Sequence, residues 1–265
     1  MTASLRGRFP AIVFAWATLT LPAISALAEE ARQHTGDSQQ QTQQTRTQEP
    51  EYPPLLPLKA SYSASMDKGI SLSGSATRSL AEREDGTWIY RTDVDSFIAD
   101  IEESLVLRWE NNQVVPLRYR YKLSGFLIRD REEAIDFDWD NRVATGHHEG
   151  DSFSVALEDG ALDPMGYQLQ LHQDIRAGKR EMVYRVIDEG DFDTDRFAVI
   201  DEETLQTDRG KITTVKAEKV RDADSKRQTL MWFAPDQEYL LVRLLQVEPD
   251  GSRYEITIDE AEIRR

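Results

Sequence analysis

Leu117-Arg118-Tyr119-Arg120-Tyr121-Lys122-Leu123 and Ile135-Asp136-Phe137-Asp138-Trp139-Asp140 decide the fold. In both stretches every second residue is apolar or aromatic, and the residues between are charged. A period of two sends one parity to a core and the other to water. That is the pattern of antiparallel strands with one wet face, not of a parallel sheet covered on both sides. Trp88, Tyr90, Thr92 and Val94 alternate with Arg91, Asp93 and Asp95 in the same way. So do Tyr254, Ile256 and Ile258 with Glu255, Thr257 and Asp259.

Working outward, strands are expected at 58–65, 70–80, 101–109, 152–157, 182–188, 197–201, 212–221, 229–233 and 240–247. Turn pairs such as Asp85-Gly86, Asn111-Asn112, Glu149-Gly150, Glu189-Gly190 and Asp250-Gly251 separate many of them. One segment breaks the pattern. Asp163-Pro164 is a helix start, Met165, Leu169, Leu171 and Ile175 recur at helical spacing, and Gly178 can close the helix. The fold expected is mainly β: a large curved antiparallel sheet or open β-barrel with one central α-helix.

The N-terminal region reads differently. Arg6 and Arg8 precede an apolar run, Ala11–Leu21, then Pro22 and the small-residue site Ala26-Leu27-Ala28. This predicts a secretory signal peptide over 1–28, cleaved before Glu29. The arginines are not adjacent, so the general secretory route is expected. The apolar run is shorter than the ~20 residues that span a bilayer. Residues 29–57 are Gln-rich and end in Pro50, Pro53, Pro54 and Pro57, a composition expected of a disordered linker. The remaining stretch, 58–265, is long enough for a single β-rich domain.

The 265 residues include no cysteine. This excludes disulfides, thiolate metal sites and a cysteine nucleophile. Forty-eight acidic against 32 basic residues give a net charge of −16, which repels phosphate backbones and argues against a nucleic-acid partner.

Few residues point to chemistry. His147, His148, Glu149 and Asp151 are the one clustered set of metal-capable side chains, yet adjacent residues on a strand face opposite ways. His172 falls on the apolar side of the helix and reads as a buried or half-buried histidine bonded to a backbone carbonyl, with ligand binding the alternative role. Asp191, Asp193 and Asp195 have the spacing of a calcium loop without its glycine, and read as a solvated acidic loop. The string Ser71–Ser75 has no nucleophile-elbow pattern. Arg118, Arg120 and Lys122 form a basic row. If the two quoted strands pair, this row lies beside Asp136, Asp138 and Asp140, with Asp138 the partner expected for Arg120. If they do not pair, Arg118, Arg120 and Lys122 are a free stripe for an anionic ligand.

The order of these features resembles a known family. A secretory leader, the Tyr-rich basic strand 117–123, the Ile-Asp-Phe-Asp-Trp strand, the central Asp-Pro helix, and Trp232-Phe233-Ala234-Pro235 followed by Leu241-Val242-Arg243-Leu244 are similar to the exported bacterial domain-of-unknown-function family 3108. The resemblance covers roughly 58–263 and implies a β-rich periplasmic protein. It brings no catalytic residues. The expected function is therefore that of a non-enzymatic periplasmic domain, soluble after signal cleavage, that binds or scaffolds an envelope component, with no cofactor. Two alternatives stand beside it. One is a carrier or sensor of a lipid-like apolar small molecule in a concave sheet face. The other is a metal-dependent hydrolase using the 147–151 region.

Overall fold

The computed structural model describes residues 51–68, 71–96, 99–125, 129–207 and 210–265. The expected signal peptide and the linker up to residue 50 lie outside the described residues. The first half of the domain contributes β1 (Leu58–Asp67), β2 (Ser71–Glu82), β3 (Trp88–Ser96), β4 (Asp100–Glu110), β5 (Gln113–Ser124), β6 (Arg131–Asp138), β7 (Val143–His148) and β8 (Asp151–Ala156). The short β9 (Ala161–Leu162) leads into α1 (Gly166–Arg176). Then follow β10 (Glu181–Asp188), β11 (Asp191–Thr207), β12 (Gly210–Lys219), β13 (Gln228–Ala234), β14 (Leu240–Val247) and β15 (Arg253–Ile263).

All fifteen strands belong to one sheet, in the order β8-β7-β6-β5-β4-β3-β2-β1-β15-β14-β13-β12-β11-β10-β9. Neighbours in this order pair antiparallel, except that β9 runs parallel to β10. The first and last strands meet in the middle, with Leu58 opposite Ile263. The sheet curls into an open barrel. Irregular register helps the curling: Leu107 faces Pro116 while Val106 faces Arg118, so Leu117 is an extra residue on β5. The bulge switches the inward parity of β5 from Val114 and Pro116 to Tyr119 and Tyr121.

The helix lies against the concave face. Met165, Leu169, Leu171 and Ile175 are buried there among Leu105, Leu107, Tyr119, Ile135, Ile187 and Phe197. Gln170 fixes it to β5: its side-chain oxygen accepts the Val114 N–H at 2.8 Å, and its amide donates to Asn112 O at 3.2 Å. The Asp163 carboxylate accepts the N–H groups of Met165 and Gly166 at 2.9 and 3.0 Å, so it caps the helix as the sequence suggests. At the other end Gly178 takes φ +86°. Its N–H reaches Ile175 O, and Lys179 N–H reaches Asp174 O, which satisfies carbonyls of the last turn. No helix among the described residues is long and apolar enough to cross a membrane.

Two expectations shift. Residues 51–57, placed at the end of the disordered linker, pack on the domain. Leu55 is buried, Tyr52 Oη donates to the Asp174 carboxylate at 2.5 Å, and Arg176 donates to Pro54 O at 2.8 Å. The stretch thus straps the C-terminal end of α1. The presumed acidic loop at 191–195 is the start of β11. Asp195 turns inward and pairs with Lys219 at 2.5 Å, both nearly fully buried.

The barrel does not close by backbone hydrogen bonds. β8 and β9 are the two edges of the sheet, and β9 covers β10 only at Arg185 and Val186. Side chains bridge the resulting seam between β8 and β10. Phe153 of β8 packs so tightly on Gly190 (φ +87°) that a Cβ there would lie 2.8 Å from the ring. Glu158, just beyond β8, pairs with Arg185 of β10 at 3.0 and 3.1 Å.

Candidate functional site

The two quoted stretches do pair. Arg118 stands opposite Asp136, Arg120 opposite Ala134 and Lys122 opposite Glu132. Arg120 binds both oxygens of Asp136 at 2.9 Å, and Arg118 approaches the same carboxylate at 3.3 Å. The partner of Arg120 is therefore Asp136, not Asp138. The twist of the pair and the turn after β6 explain the difference: Asp138 sits opposite Val143 and accepts hydrogen bonds from the Asn141 backbone and side chain at 2.9 and 2.7 Å.

Following the register outward from Arg120 gives a line across five strands on the wet face. Arg91 of β3 faces Ser104 of β4, which faces Arg120, then Ala134 of β6, then His147 of β7. One pair further along the strands runs a second line: Asp93, Glu102, Lys122 and Glu132. The small residues Ser104 and Ala134 leave room between long neighbours. The result is a depression of about 440 Å³ with both charge signs on its rim, within the size range of small-ligand sites. Of the residues singled out from sequence, the structure brings Arg120, Lys122 and His147 together here, with Arg118 at its margin.

Ser104 and His147 both line the depression but cannot act as nucleophile and base. They are three strand spacings apart, about 14 Å, whereas such a pair needs about 3 Å. What the depression can do is hold a charged or dipolar group by paired hydrogen bonds and ion pairs.

The set His147, His148, Glu149 and Asp151 does not converge. His147 faces the outer depression. His148 faces inward, 3.6 Å from Glu133. Glu149 pairs with Arg131 at 3.2 Å, and Asp151 is exposed at the start of β8. Among the described residues no group of three or more His, Asp or Glu is placed to hold a metal ion. His172, on α1, is half-buried; its Nε2 meets Glu238 O at 2.9 Å and its ring stacks on Phe233. Burial pushes the imidazole down to about 4, which makes it a neutral structural group.

One arrangement has no signature in the sequence. Along the inner face, Arg78, Thr92, Glu103, Tyr121, Glu133 and His148 lie in register, one from each of β2 to β7. They form a polar row across the inside of the barrel. Arg78 donates to Gln168 of α1, and Tyr119 Oη donates to Glu103 at 2.7 Å. Burial raises the Glu103 carboxyl above its usual range and lifts the Tyr121 phenol to about 12. The row ends at the seam, where Glu133 accepts the Glu189 N–H at 2.9 Å. Each member sits in a different strand, so only the register reveals the row. The concave face, which the apolar-ligand reading required, is thus occupied by α1 and this row.

A family model described as DUF3108, protein of unknown function, matches residues 72–259. No curated protein matches the chain in sequence. Among solved structures, a β-barrel-like protein of the domain-of-unknown-function family DUF1849 from Brucella abortus is similar in fold. The TM-score is 0.53 at 11% identity, covering 79% of this chain and 98% of that one. A DUF1329 family protein from Desulfovibrio piger matches with a TM-score of 0.22 at 10% identity, over 78% and 85% of the two chains.

Proposed function

The chain belongs to the DUF3108 family of proteins of unknown function, and from that premise we propose that it is an exported, non-enzymatic binding domain that recognises an envelope component through the outer depression on β3–β7. The observation that carries this reading is the division of space in the barrel. The concave face is filled by α1, while the wet face opens a 440 Å³ recess rimmed by Arg91, Arg120, Lys122, Asp93, Glu102 and Glu132. A mixed rim favours a partner that presents both charge signs and disfavours an anion or an apolar molecule alone. The leader expected at 1–28 supports export through the general secretory route and action in the periplasm.

The test uses the full chain in living cells, with a photo-crosslinking residue at Ser104 and, as control, at Lys211, an exposed position on β12. A discrete adduct from position 104 is expected, absent from 211 and lost when Arg91→Glu and Lys122→Glu are combined. Equal adducts from both positions, or an adduct indifferent to the charge reversals, overturns the reading. The adduct should sit on a chain beginning at Glu29 and released with the periplasm.

A further inference from the structure

We infer that the seam between β8 and β10 is a proton-operated latch, shut when Asp188 and His148 carry protons and released as those protons leave. Its geometry is unusual for a sheet of this size. Thirteen of the fourteen steps between neighbours in the sheet are antiparallel ladders and the remaining one is the two-residue β9 contact, whereas the gap between β8 and β10 is bridged by side chains alone. At the end of the seam that carries the β10–β11 turn, four ionisable groups meet. Glu133 reaches over from β6 to the Glu189 N–H. His148 of β7 places Nδ1 3.6 Å from Glu133 and Nε2 3.6 Å from Glu189. Asp188, the last residue of β10, is 5% exposed, and its Oδ1 has no hydrogen-bond partner.

Such a set holds together only with protons in it. A buried carboxylate with an unpartnered oxygen is costly when charged. The charged groups that act on Asp188 include the carboxylates of Glu133, Glu189, Asp193 and Glu103, all of one sign. Those facing His148 are Glu133, Glu189 and Glu149. Tyr119 and Tyr121 of β5 border the cluster and remain neutral, their phenols raised by burial. Arg131, the nearby cation at Tyr121, is held by Glu149.

Both titrations act in one direction. Burial and then the Glu133 carboxylate raise Asp188 well above its ordinary 3.8. The Glu133 carboxylate raises His148 above 6.5. A group whose value is raised on folding contributes stability below its unfolded value and loses it as pH climbs through the folded value. For Asp188 that loss begins above 3.8, and for His148 above 6.5. Acid therefore tightens the seam. Alkali leaves Asp188 and Glu133 facing each other as like charges beside a neutral imidazole.

Hydrogen exchange of the full chain reads this directly. Peptides spanning 151–157 and 181–190 should exchange roughly tenfold faster at pH 8.5 than at pH 5.5 after correction for chemical exchange, the effect of about 1.4 kcal/mol. Peptides from β13 and β14 should show no such ratio. Glu133→Gln retains an oxygen for the Glu189 N–H but removes the charge that raises His148, and should shrink the ratio while leaving the part that burial of Asp188 supplies. Asp188→Asn leaves only the His148 titration and should likewise shrink the ratio, and it serves if the first variant folds poorly. A pH ratio shared by the whole sheet, or one undiminished in the folded variants, overturns the proposal.

Discussion

Arg120 illustrates how a single side chain fixes register. Its Nη2 donates to both oxygens of Asp136 at 2.9 Å, yet both side chains are about half exposed. Water screens such pairs, so Arg120→Glu should cost only about 0.2–1 kcal/mol. Adding Asp136→Lys should recover part of the loss in a double-mutant cycle read by urea melts, while Asp138→Lys should recover none. His172 works in the opposite sense. Its value falls from 6.5 to about 4 on burial, so the unfolded chain binds more protons across that window and stability drops as pH falls through it. The cost on full protonation is on the order of 3 kcal/mol. His172→Gln should therefore move the acid-unfolding midpoint to lower pH, as followed by circular dichroism.

Among the elements, α1 was legible because its signals are local: a cap, a proline, a 3.6-residue period and a closing glycine. Asp163→Ala should cost about 1 kcal/mol. Leu169→Ala, at a side chain 2% exposed, should cost about 2–5 kcal/mol in a thermal melt. Strands with one wet face were legible for the same reason, since alternation shows in a single strand. The start of β11 was not. Asp191, Asp193 and Asp195 look like a solvated loop until Lys219 on the neighbouring strand is seen to meet Asp195. β7 was also missed, because Val143–His148 is short and interrupted by Gly146. The outer depression was half legible. Arg118, Arg120 and Lys122 form a visible row, whereas Arg91, Ser104, Ala134 and His147 join it only through pairings across five strands. The inner polar row was wholly hidden, for it has one residue per strand.

At the scale of the whole molecule, the strap at 51–57 joins the N-terminal end of the domain to its interior. Tyr52, Pro54 and Leu55 all contact or cover the C-terminal end of α1 or its surroundings, and Lys179 lies 5.4 Å from the Tyr52 ring centre. A chain beginning at Leu58 should melt several degrees below one beginning at Glu51, since losing a buried leucine and two hydrogen bonds costs a few kcal/mol. Equal melting temperatures would mean that the strap rests on the helix without supporting it.

The meeting of β1 and β15 in the middle of the sheet has a consequence for how the chain could be rewired. Read from β9 through β15 and on from β1 to β8, the spatial order is an unbroken succession. The first and last strands are neighbours, and the two edge strands lie next to each other in sequence, separated by Leu157–Gly160. A circular permutant that joins Arg265 to Glu51 through a short linker and opens at Asp159–Gly160 would make every ladder between adjacent segments. Its average loop to be closed would shrink, because the pairing of Leu58 with Ile263, the longest in the native chain, would become a simple hairpin. Such a permutant should refold faster than the natural chain.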